Sequence, residues 1–251
     1  MTKKITIHSF RGGTGKTNTS ANVGTLLAMA GLRVAVMDTD IRSPGLHTLF
    51  GLDTEDLLTL NDYIWERCEI HEAAHDVTDV IGDSVEGQLF LVPCSIQTKE
   101  VARIFRDENY DVSRISNGQE DLIAALDLDV LIIDTHPGIN DETLLNMAVS
   151  DTVGLLLRPD YQDYQGTSVS LEIAERLDIP EITLIVNKSP ALFAPEIVRE
   201  KISEAFEKEV AAVLPFSEEM LTLASQSVFV LEYPDDPLTM LFKQVAARLM
   251  E

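Results

Sequence analysis

Residues Phe10 to Thr17 read F-R-G-G-T-G-K-T, between the alternating run Ile5-Thr6-Ile7-His8 and a helical pattern that begins near Thr17. A strand that passes through a glycine-rich turn into a helix is how a chain builds a phosphate cradle. The glycines let the backbone turn tightly and bring its N–H groups to phosphate oxygens. The helix N-terminus adds the positive end of its dipole. Lys16 has the reach for β- and γ-phosphates, and the Thr17 hydroxyl is a ligand for Mg²⁺. The expected ligand is a nucleoside triphosphate.

The ordinary phosphate-loop pattern, G-x-x-x-x-G-K-[ST], places glycine where Phe10 stands. Here Arg11 and the pair Gly12-Gly13 precede the Gly-Lys-Thr instead. The segment resembles the deviant Walker A motif of the MinD/ParA family of ATPases, with Arg11 in the slot of the family's signature lysine. The resemblance implies nucleotide contacts from Gly12, Gly13, Thr14, Gly15, Lys16, Thr17 and Asn18, with ATP, ADP and Mg²⁺ as ligands. In that family the signature lysine reaches across a nucleotide-sandwich dimer. Arg11 would act there in trans, but its planar, bidentate head makes the exchange a non-conservative one; a loop arginine paired to a local acid is the alternative.

Elsewhere along the chain, strand-length apolar runs alternate with helical periods. Strands are expected at Lys4–His8, Arg33–Met37, Gln88–Val92, Val130–Ile133, Thr152–Leu157, Ile182–Val186 and Ala212–Leu214. Helices are expected at Asn18–Ala30, Lys99–Arg106, Ser113–Ala125, Thr143–Val149, Ser168–Leu177, Pro195–Val210 and Leu238–Met250, with short ones around Leu57–Arg67 and His71–Val77. Such alternation implies right-handed crossovers and an α/β fold: one mostly parallel twisted sheet with helices on both faces. No repeat, low-complexity run or linker interrupts it, so residues 1–251 read as one domain.

Ligands of such sheets bind beyond the carboxyl ends of the strands. Val36-Met37-Asp38-Thr39-Asp40 ends one strand in two carboxylates, which as unpaired core residues would be costly. The segment resembles the family's switch I, implying that Asp40 positions the attacking water and Asp38 supports the metal's water shell. A turn or cap aspartate is the alternative, and Asp38 suits it better than Asp40. Leu131-Ile132-Ile133-Asp134 is an apolar strand delivering one acid, as a Walker B strand does. With Gly138 it resembles switch II, placing Asp134 beside the metal. His136 reads as a turn histidine.

Asn187 ends a later strand and offers a donor and an acceptor to an adenine edge. The family has an asparagine there, although a strand-end turn explains the residue nearly as well on composition. Leu214-Pro215-Phe216 resembles the family's proline loop over the base, with Pro215 contacting it mainly through backbone. Residues 52 to 86 match no motif.

The charge is uneven. The chain carries 42 acidic and 19 basic residues, net −23, yet residues 1 to 42 are net +4. Cations gather at the phosphate loop, and the remaining surface repels polyanions. That disfavours nonspecific DNA binding, although a dimer patch from Arg199, Lys201 and Lys208 stays open. Leu238, Leu241, Phe242, Val245 and Leu249 share one face of the last helix, but only Lys243 and Arg248 are basic there. Packing on the sheet is expected, and a membrane partner is not. Cys68 and Cys94 form no paired motif, which speaks against an iron–sulfur carrier. The Arg-Gly-Gly start of the loop points away from biosynthetic ligases of this fold. No leader or spanning segment is read, so the expectation is a cytoplasmic, Mg-dependent ATPase. It would dimerise with nucleotide and recruit a protein partner or cargo adaptor. A nucleotide-binding adaptor with little hydrolysis is the second reading.

Overall fold

The computed structural model describes residues 2–82, 85–106 and 111–251. In chain order its elements begin with β1 (Lys3–His8), α1 (Lys16–Met29), β2 (Arg33–Asp38), α2 (Leu46–Leu49), α3 (Leu60–Ile64), β3 (His75–Asp76) and β4 (Gln88–Val92). The middle comprises α4 (Thr98–Arg106), α5 (Ser113–Leu126), β5 (Val130–Asp134), α6 (Asp141–Ala148), β6 (Thr152–Leu157) and α7 (Tyr161–Arg176). The last stretch is β7 (Glu181–Ser189), α8 (Pro195–Phe206), β8 (Val210–Pro215), α9 (Glu218–Leu223), α10 (Phe229–Glu232) and α11 (Pro237–Met250).

Among the described residues one sheet of eight strands runs in the order β3-β4-β2-β5-β1-β6-β7-β8. Only β3 is antiparallel, pairing with β4 at the edge. β5 and β6 are buried at every position, because helices cover both faces of a parallel sheet. Period-two alternation then sends neighbours to opposite cores. Val34 and Val36 face Val23 and Leu27 of α1 together with Phe242 and Leu249 of α11. Ala35 and Met37 face Tyr63 of α3 and Leu122 of α5. Farther along, Leu155, Leu157 and Leu184 pack with Leu171 of α7 and Ile202 of α8.

The apolar face expected on the last helix lies on the sheet, with Leu238, Phe242, Val245 and Leu249 buried. Among the described residues no helix is long and apolar enough to cross a membrane.

Several boundaries differ from the sequence reading. The helix expected over Pro195–Val210 stops at Phe206, where Glu207 turns left-handed at φ 53°. The following V-A-A-V-L-P run joins the sheet beside β7 instead. His71–Val77 is not helical throughout. A 3-10 turn over Ile70–Ala73 gives way to β3, whose pairing with β4 outweighs the local helical pattern. Helix α7 starts well before Ser168, at Tyr161, because Asp160 caps it by accepting from Asp163 N at 3.0 Å. Only Leu60–Ile64 is α-helical within Leu57–Arg67.

Candidate active site

Parallel register sets the site. Asp38 pairs with Asp134 at the ends of β2 and β5, and Ile7 of β1 pairs with Asp134 on its other side. In-register residues of parallel strands share a face, and here that face is the one covered by α1. The aspartates of two distant segments therefore emerge together beneath the N-terminus of α1.

The phosphate loop is folded tightly between β1 and α1. Thr14 Oγ1 donates to Ser9 Oγ at 2.8 Å, and Ser9 Oγ donates to Arg11 O at 2.8 Å. The Thr14 side chain is thus buried beneath the loop, leaving its backbone for a ligand. Gly15 has φ 103°, and a Cβ there would stand 2.4 Å from Asn187 Nδ2. No L-side chain meets both conditions. Phe10, which stands where the ordinary pattern has glycine, lies against Gly166 of α7, where an added Cβ would meet the ring at 2.4 Å. The loop is held from two sides.

Gly12, Gly13, Lys16, Thr17, Asp40 and His136 line the resulting cleft. Lys16 is buried, and burial lowers its ammonium pKa while Asp134, Asp40 and Asp38 oppose that shift. Ser20 Oγ donates to Asp134 Oδ1 at 3.0 Å, and the Thr17 hydroxyl also hydrogen-bonds this carboxylate. Burial raises the Asp134 pKa to about 6, against the pull of Lys16. Its Oδ2 is buried without a partner. A bare buried carboxylate oxygen costs about 1–3 kcal/mol, so this atom suits a cation or its water. Among the described residues no three His, Cys, Asp or Glu side chains gather closely enough to hold a metal alone. A hard divalent ion with phosphate oxygens, the Thr17 hydroxyl and water around it needs no such cage.

Asp38 and Asp40 differ. Asp38 is fully buried, and both its oxygens accept backbone N–H groups: Oδ1 from Asp40 at 3.0 Å, Oδ2 from Gly45 at 3.0 Å and Leu46 at 3.2 Å. Burial and Asp134 push its pKa well up. It shapes the turn that carries Asp40. Asp40 Oδ1 accepts from Ser43 N at 3.0 Å and lies 4.0 Å from His136 Nε2 at the cleft wall. Burial raises the Asp40 pKa, and His136 works against it. Gly138, at φ 82°, donates its N–H to Ser9 O at 3.1 Å, tying the Asp134 turn to the phosphate loop.

A second, apolar cavity opens from the first at Gly15, Asn18 and Lys188. Asn187, Pro215, Phe216 and Met220 line it over a floor of Leu238 and Phe242. Its lining suits an aromatic base. Asn187 is at the expected place, but its Nδ2 donates to Thr14 O at 2.8 Å and its Oδ1 accepts from Lys188 N at 2.8 Å.

Arg11 lies outside both cavities. Its Nε is 3.6 Å from Asp163 Oδ1, with the side chain 42% exposed. Asp163 is already held by Arg158, through Nε at 3.0 Å and Nη2 at 3.1 Å.

Three residues at the site escaped the sequence reading. Lys188 sits in the left-handed region at φ 55° and donates to Gly13 O at 2.8 Å. Glu142 of α6 is buried near Asp40, with Oε2 unpartnered and its pKa raised to about 7 by burial. His8 is buried and held neutral, its pKa lowered to about 3 by burial and then by Lys16. Thr135 Oγ1 donates to Ile7 O at 2.9 Å, so His8 Nδ1, 3.0 Å from that oxygen, is the protonated nitrogen. Lys188 follows Asn187 at a strand end, a signal open to inspection. Glu142 and His8 had none, since burial decides both.

A family model described as an AAA domain matches residues 2–179. An uncharacterised ATP-binding protein of Methanocaldococcus jannaschii is 29% identical over 251 residues, covering 100% of this chain and 88% of that protein. The septum site-determining protein MinD of Bacillus subtilis is 31% identical over 191 residues, covering 75% of this chain and 65% of that protein. In fold, the chain is similar to the septum site-determining protein MinD of Pyrococcus horikoshii, solved in complex with Mg-ADP. The TM-score is 0.80 at 20% identity, over 99% of this chain and 96% of that one.

Proposed function

Since the chain belongs to the MinD/ParA family of P-loop ATPases, we propose that it binds and hydrolyses ATP with Mg²⁺ and that its ATP-bound form dimerises to recruit a protein partner in the cytoplasm. On this reading residues 1–251 are one ATPase domain with a deviant Walker A loop. The observation that carries it is that Asp40 and Asp134 both act on Lys16, which lines the cleft beside the loop. The Pyrococcus relative, complexed with Mg-ADP, has the same fold.

The geometry supports the following roles. The backbone N–H groups from Gly12 to Lys16 and the Lys16 ammonium bind the phosphates, where preorganised donors act strongest. Thr17 and Asp134 hold the divalent ion, with Asp38 keeping the neighbouring turn in shape. When bound, that ion neutralises charge on the phosphate oxygens. Asp40 accepts a proton from, and orients, the attacking water. Asn18, Asn187 and Pro215 flank the base. Arg11 joins the phosphates of a partner molecule, leaving Asp163 to Arg158.

Neither DNA nor membrane is favoured as the partner. Arg199 donates to the carbonyls of Val210 and Ala211, and Lys208 pairs with Glu175 at 2.8 Å, so two of the three patch cations are engaged. The apolar face of α11 is covered.

Phosphate release measured with and without Mg²⁺ tests the reading. Asp40→Asn is expected to lower kcat about 100-fold or more, the range of a lost general base, with KM little changed. Wild-type ATP binding without release above background would instead establish the non-hydrolysing adaptor.

A further inference from the structure

Resting on the reading that the cleft takes a triphosphate, we propose that Asn187 and Lys188 hold the phosphate loop in its anion-binding shape, as a pair of positioning residues. The evidence is a run of consecutive contacts. Asn187 Nδ2 donates to Thr14 O at 2.8 Å, and Lys188 Nζ donates to Gly13 O at 2.8 Å. Two adjacent residues at the end of β7 thus grip two adjacent peptide planes of the loop.

The consequence is stereochemical. In a trans peptide the carbonyl and the following N–H point in opposite directions. Donors that draw the Gly13 and Thr14 carbonyls toward β7 therefore turn the Thr14 and Gly15 N–H groups away from it. In the phosphate loop, successive N–H groups aimed one way form an anion nest. The nest exists before a ligand arrives, which lowers the ordering cost of binding.

Two further observations fit a built device. Lys188 holds a left-handed conformation at φ 55°, uncommon without glycine, and its N–H donates to Asn187 Oδ1 at 2.8 Å. That bond fixes the amide so that its NH₂ group faces Thr14. On the other side, Gly15 leaves no Cβ, and only this lets the amide approach: an added Cβ would come within 2.4 Å of Nδ2. With Oδ1 engaged and one of its two N–H groups given to Thr14, Asn187 keeps one N–H for a base. Lys188 also lines both cavities, so the residue that grips the phosphate loop stands between them.

The test uses calorimetry with two probes in the presence of Mg²⁺: ATP, and inorganic tripolyphosphate, which has no base. Asn187→Ala and Lys188→Met are compared with the wild type, with thermal melts to establish that each variant is folded. Each variant is expected to weaken both probes by the same factor, about threefold to tenfold for the loss of one hydrogen bond. Asn187→Ala carries no charge change, so its loss on tripolyphosphate reports loop geometry alone. Unchanged tripolyphosphate affinity in either variant overturns the proposal, and if ATP alone weakens in Asn187→Ala, the residue is a base reader. A wild type that binds tripolyphosphate but not ATP would remove the nucleotide reading and leave the loop inference standing. A wild type that binds neither overturns both.

Discussion

Glu142 shows what burial does to a single acid beside this site. It lies in the first turn of α6, with Oε2 unpartnered and Arg42 and Asp40 pulling its charge in opposite directions. Burial dominates and raises its pKa from 4.5 to about 7. The folded chain therefore binds this proton more tightly than the unfolded chain. By linkage, the contribution of Glu142 to stability is greatest below pH 4.5 and falls as pH rises toward 7. Glu142→Gln keeps the shape and removes the titration. Above pH 7 the variant is expected to be more stable than the wild type by about 2 kcal/mol, a value discounted for partial solvation. Below pH 4.5 the two converge. Urea denaturation at a series of pH values checks this, and parallel curves across the series would refute it. The same burial argument explains why this residue was invisible in the sequence: an acid in a helical first turn reads as a favourable dipole partner, and nothing local reveals a lid over it.

Elements were legible where one force decided them. The β5 run V-L-I-I-D is apolar on both faces and ends in its acid, so strand, burial and site emerge from five residues. The phosphate loop was legible for a similar reason, since few other structures require Gly-Lys-Thr after a strand. Helices α2, α9 and α10 were missed because four to six residues carry too little period to register. Two of them are tertiary products. The start of α10 is held by Asn22 of α1, whose Oδ1 accepts from Val230 N at 2.9 Å, and α2 follows the turn that Asp38 fixes. The role of Phe10 was equally hidden, since its partner Gly166 lies far along the chain on α7. That contact yields a prediction. Gly166→Ala would push a methyl group into the Phe10 ring, at 2.4 Å before relaxation. Overpacking of this kind costs about 1–3 kcal/mol, and here the displaced residue precedes the phosphate loop. Gly166→Ala is expected to lower both the melting temperature and the affinity for Mg-ATP, whereas Gly166→Ala with Phe10→Leu recovers much of each. Unaltered melting and affinity in the single variant would show that the ring yields without moving the loop.

Across the whole molecule, charge and shape bear on association. Each chain carries −23, so two of them repel at long range, and at physiological salt that repulsion is screened beyond about 8 Å. On the proposed reading what joins them must act at contact. Yet of the bases in the first 42 residues, Lys3, Lys4 and Arg33 start β1 and β2 at the far edge of the sheet. That leaves Arg11 and Lys16 at the phosphate loop and corrects the expectation that the cations gather there. On that reading Arg11 is the residue on which this turns. Its present partner, Asp163, is bonded to Arg158 by two side-chain contacts and by the Arg158 N–H at 2.9 Å, so Asp163 keeps its charge compensated when Arg11 leaves. An ion pair at 3.6 Å with a half-exposed arginine is worth at most about 1 kcal/mol in water. Release is therefore inexpensive, and an arginine brought to a transferring phosphoryl group is worth on the order of a thousandfold in rate. Arg11→Ala is thus expected to leave the melting temperature of the nucleotide-free chain nearly unchanged. With a slowly hydrolysed ATP analogue it should remain monomeric on size-exclusion chromatography where the wild type elutes earlier, and its turnover should fall at least about 100-fold. Arg11→Lys, which keeps charge without the planar fork, separates attraction from geometry: it should restore the dimer more fully than the rate. Wild-type elution and turnover in the alanine variant would remove Arg11 from the mechanism and leave it a surface partner of Asp163.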